Sequence, residues 1–130
     1  MLLLTKVLNS NFQYEVIKLK NPELVPFAHG SALVCTDGIA AHATDTSTPE
    51  YIALVGDEEE PTATVNAMIV TDNMVFKTSY IGTEAPYVGM NVGLAKDSFE
   101  ADAVAPNKNG KGTVLAIDGI KKLVYVRFRK

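Results

Sequence analysis

The stretch GKGTVLAIDGIKKLVYVRFRK, residues 110–130, decides the fold. Two alternating runs, GTVLAI and KKLVYVRF, flank Asp118-Gly119, a pair that tolerates the positive φ of hairpin turns. In the second run Val124, Val126 and Phe128 fall on one face of an extended chain, and Leu123, Tyr125, Arg127 and Arg129 fall on the other. The first set suits a core. The second presents an aromatic ring and two guanidinium groups to a partner outside the hairpin.

Similar runs recur upstream: QYEVIKL, SALVCT, GIAAHA, YIALVG, TATVNAMIV, NMVFKTSY, NVGLA and FEADAV. They are separated by turn chemistry at Asp37-Gly38, Asp72-Asn73 and Asn109-Gly110. With 9 Gly and 6 Pro spread along 130 residues, no long apolar stripe at helical spacing survives. A mainly β fold is expected.

The order of elements repeats. From His29 the chain reads Gly, short strand, turn, strand, polar loop, YIALVG, then an acidic connector into ATVNAMIV. From Gly89 it reads Gly, short strand, turn, strand, polar loop, GTVLAID, then a tight turn into LVYVRF. Two similar β-meander halves predict a small β-barrel or β-sandwich, since closure removes exposed strand edges. Residues 29–130 form this β-domain, and residues 1–28 form an extended N-terminal segment, either an arm or an added strand.

Composition sets the class. One domain of this length buries roughly two-thirds of its unfolded surface. A net charge of -3 argues against nucleic acid as a partner, which would need clustered Lys and Arg. MLLLTKVLNSN lacks the basic lead and cleavage site of a signal peptide, and no run approaches the ~18 apolar residues of a membrane span. A soluble protein with no membrane partner is expected. The single cysteine, Cys35, excludes an internal disulfide and points to a reducing compartment.

No candidate chemistry assembles. His29 and His42 lack the companion ligands of a metal site. Cys35, mid-strand among apolar neighbours, reads as a buried structural thiol rather than a nucleophile. The contiguous acids Asp57 to Glu60, ending at Pro61, lack the alternation of a calcium loop and read as a solvated connector. No phosphate-binding glycine loop and no nucleophile elbow is present. The expectation is a non-enzyme without cofactor or metal.

The paired segments HGSALVCTDGIAAHATD...YIALVGDEEEPTATVNAMIV and VGMNVGLAKDSFEADAV...GKGTVLAIDGIKKLVYVRF resemble the small capsid decoration (cement) proteins of tailed bacteriophages, over roughly Gly30 to Phe128. That resemblance implies a structural protein made in the bacterial host cytoplasm and placed on the capsid exterior of the virion. It implies the major capsid protein as partner and a homotrimer on the capsid. Residue chemistry offers two contact sets: Leu2, Leu3, Leu4, Phe12 and Tyr14 in the N-terminal segment, and Tyr125, Arg127 and Arg129 on the hairpin's outer face. The competing reading is a small ligand- or carbohydrate-binding β-barrel, although no Trp is available for a stacking platform.

Overall fold

The computed structural model describes residues 1–8, 14–55, 62–96 and 102–129. Within them the chain is all β, with no helix. In order the strands are β1 (Leu3–Val7), β2 (Val16–Lys20), β3 (Ala32–Thr36), β4 (Ile39–His42), β5 (Tyr51–Ala53), β6 (Thr64–Ile69), β7 (Met74–Ser79), β8 (Asn91–Lys96), β9 (Asp102–Pro106), β10 (Gly112–Asp118) and β11 (Leu123–Phe128). Every run singled out in the sequence overlaps one of them; β1 was not separately anticipated.

The strands form a closed barrel, β2-β4-β3-β5-β6, packed on a six-stranded sheet, β1-β7-β11-β10-β8-β9. The two halves share one pairing scheme. In the first, β3 pairs with β4 and β5, β5 with β6, and β6 with β2, all antiparallel. In the second, β8 pairs with β9 and β10, β10 with β11, and β11 with β7, again antiparallel. The barrel closes through one parallel contact, Lys20 beside Ile39, and the sheet carries an isolated parallel bridge at the matching place, Tyr80 beside Val104. The third strand of each half therefore lies beside the first, not the second.

The turns entering the halves match as well. The Gly30 N–H donates to the Ala53 carbonyl and the Gly89 N–H to the Val114 carbonyl, both at 2.8 Å. Both glycines have positive φ, +82° and +90°, which explains the glycine that opens each repeat.

Two hydrophobic cores follow from strand alternation. Leu19, Leu33, Ala40, Ala53, Val65 and Ala67 fill the barrel, with Phe27 packed against them. Alanine dominates because little room remains inside five strands. The adjacent residues Ala32, Ile52 and Met68 point out of the barrel into the second core. There they meet Leu2, Phe76, Val92, Val104, Val114, Val124, Val126 and Phe128. The barrel's outer wall is thus the sheet's floor.

Two turns differ from expectation. Asp118-Gly119 is not a two-residue turn: residues 119–122 form the loop, Lys122 takes the positive φ (56°), and Asp118 Oδ1 accepts the Lys121 N–H. Asn109-Gly110 joins strands that lie on either side of β8 rather than paired with each other. Gly110 is needed for close approach, since a Cβ there would lie 2.1 Å from the Val92 carbonyl oxygen.

Residues 1–28 contribute a strand to each sheet. β1 pairs antiparallel with β7, Leu2 is 1% exposed in the large core, and Leu4 packs against it. Leu3, between them, points outward. Leu2→Ala is therefore expected to cost about 2–5 kcal/mol in urea denaturation, and Leu3→Ala to stay within about 0.5 kcal/mol of the parent.

Candidate functional site

The outer face of the six-stranded sheet gathers residues from both ends of the chain. Leu3 lies opposite Lys77 across β1 and β7, and Lys77 lies opposite Tyr125 across β7 and β11. Tyr125 in turn faces Ala116 on β10, where a bulge between Val114 and Ala116 lets Leu115 stand 38% exposed. The next row brings Arg127 opposite Thr113. Leucine, lysine stem, tyrosine and leucine thus make an apolar stripe bordered by cations.

The two arginines differ. Arg129 is tied into its own chain: Nη1 donates to Thr113 Oγ1 and Nη2 to the Gly110 carbonyl, both at 3.0 Å. Its backbone N–H donates to the Lys111 carbonyl, and its carbonyl accepts the Thr48 hydroxyl at 2.7 Å, which links the sheet to the barrel. Arg127 donates through Nε to the Asp72 carbonyl and is otherwise solvent-exposed. Among the described residues neither guanidinium has a carboxylate within ion-pair reach. Beside them lies an open depression of about 450 Å³, lined by Asp72, Thr113, Leu115, Arg127, Phe128 and Arg129. This surface offers a cation with spare donors next to apolar area, the chemistry of a protein-docking face.

Of the sequence-derived contact residues, Leu3, Tyr125 and Arg127 converge on this face, and Arg129 buttresses its edge. Leu2 and Leu4 point into the core instead. Tyr14, 46% exposed, precedes β2 on the barrel. Phe12, and the acidic run from Asp57 to Glu60, lie outside the described residues.

One titratable cluster sits at the junction of the halves. Lys96 Nζ pairs with Asp102 Oδ1, while Asp102 Oδ2 accepts the Ala32 N–H at 2.5 Å. Asp102 is 4% exposed. The His42 ring lies 4.8 Å from that of Phe27. His42 is solvent-exposed, yet partial desolvation and the nearby Lys96 charge lower its pKa, with Asp102 opposing them. Both Asp102 oxygens are engaged, so the cluster supplies an anchor rather than a base. The sequence carried its signal: in the strand ADAV, Asp102 shares a face with Val104.

Other candidates have structural roles. His29 Nδ1 accepts the Val55 N–H at 3.1 Å. Cys35 is only half-buried, against the barrel core. No group of metal-ligating side chains occurs among the described residues. A depression at the barrel mouth is lined by Lys18, Asn21, Phe27, Thr64 and Asn66 among others, but Phe27 is 7% exposed and offers no open stacking face.

Comparison with known proteins finds no matching family model, curated sequence or solved structure.

The lowered His42 pKa has a pH signature. The unfolded chain takes up the proton first as pH falls, so this stability contribution is complete above 6.5 and declines below it. The urea midpoint is expected to drop as pH falls through this range, and His42→Asn to flatten that slope.

Proposed function

We propose that the chain is a structural protein that docks on the outer surface of a tailed-phage capsid and stabilises contacts between major capsid subunits. The observation that carries this reading is the convergence of Leu3, Tyr125 and Arg127, from opposite ends of the chain, on one sheet face. The phage-decoration resemblance supplies the partner class.

The mechanism is additive burial. Tyrosine and arginine contribute strongly when desolvated at an interface, and the bulged Leu115 adds apolar area beside them. Rigidity helps: Arg129 is fixed by four hydrogen bonds, so the surface loses little freedom on docking. Copies spanning several capsid subunits gain further through avidity.

Sedimentation with a panel of expanded, undecorated tailed-phage capsids tests this. Saturable co-sedimentation with at least one capsid is expected, weakened about tenfold or more by Tyr125→Ala or Arg127→Ala. Leu3→Glu, which adds a charge to the stripe, should act likewise. Lack of binding to every capsid, or binding indifferent to all three substitutions, would overturn the proposal.

A further inference from the structure

We propose that the open stretch of the β2 edge, Val16 to Lys18, before β4 joins it at Lys20, is a strand-pairing site at which two copies of this chain join, antiparallel, into one continuous sheet. The internal repeat identifies it. Leu19 opposite Val65 in the barrel corresponds to Thr78 opposite Val124 in the sheet, so Val16, Ile17 and Lys18 correspond to Val75, Phe76 and Lys77. In the second half this edge is covered: β1 lies along it, with Lys6 opposite Val75, Leu4 opposite Phe76 and Leu3 opposite Lys77. In the first half no described strand occupies the place.

Exposure records the difference. Val75 and Phe76 are 3% and 0% exposed, whereas Val16 and Ile17 are 53% and 36% exposed. The hydrogen-bonding groups follow the same pattern. The Glu15 carbonyl accepts the Ile69 N–H from β6, and the Lys20 N–H turns the other way, to the Gly38 carbonyl. Alternation then aims the N–H and C=O of both Val16 and Lys18 at the open edge.

A second copy fits this edge. Antiparallel self-pairing centred on Val16 puts edge-facing groups opposite edge-facing groups, so both strands exchange full sets of bonds. On the outward face it sets Val16 against its counterpart and keeps the two Lys18 ammonium groups apart. The geometry repeats, between copies, what β1 does to β7 within one chain. None of these residues belongs to the proposed capsid-docking face, so the two proposals stand or fall separately.

Sedimentation equilibrium of the full chain, from low to high micromolar concentration, tests the inference. The expected mass is twice the 14.0 kDa chain at the upper end. Lys18→Pro removes an N–H that points at the edge and leaves the β6 ladder intact, and should give a monomer with unchanged far-UV circular dichroism. Should that variant fail to fold, Val16→Lys, which gathers four lysines at the paired edge, is expected to weaken dimerisation about tenfold or more. A parent chain that stays monomeric or forms a trimer, or a dimer indifferent to the substitution at this edge, would overturn the inference.

Discussion

The buried carboxylate of Asp102 is the constraint on which the arrangement of the two halves depends. One oxygen takes the Ala32 N–H from the barrel and the other pairs with Lys96 on β8. Its backbone carbonyl accepts the Thr78 hydroxyl and the N-terminal ammonium. A carboxylate removed from water is unfavourable unless its lone pairs are met. Here the carboxylate is met from β3 and β8, and the backbone carbonyl of the same residue from β7 and Met1, so all its acceptors are satisfied in one alignment of these segments. Apolar packing between barrel and sheet would tolerate sliding; this polar knot does not.

The same junction shows why a repeated pairing scheme does not produce two independent domains. Ala32, Ile52 and Met68 belong to barrel strands, yet their side chains complete the core of the neighbouring sheet. Separation of the halves would expose that wall and leave Asp102 without its barrel partner. Arg129, receiving the Thr48 hydroxyl at its carbonyl, closes the junction on another side. Repetition of topology has been joined to a division of labour, with a narrow alanine-lined barrel in one half and a broader, phenylalanine-filled core in the other.

Much of this was legible because alternation is a local property. Val124, Val126 and Phe128 were assignable to the core from spacing alone, and Tyr125 and Arg127 to the outer face. β1 escaped because Leu2, Leu3 and Leu4 are contiguous and show no period; only the position of β7 decides which of them is buried. The pairing of each half's third strand with its first was also hidden, since turn residues mark where a chain bends and not which neighbour it joins. Arg129 looked like an exposed contact residue because its acceptors, Thr113 Oγ1 and the Gly110 carbonyl, become neighbours only through the β10–β11 register.

The place of β1 bears on how the molecule is made. Its ladder partner is β7, whose other side is held by β11, near the opposite end of the sequence. During synthesis the barrel strands can emerge and close around Leu33 and Ala53 while Leu2 and Leu4 still lack a surface to cover them. β1 must therefore wait for distant segments, with the slow closure that long-range pairing entails. Leu2 and Leu4 stay in water until β7 and β11 have both been made.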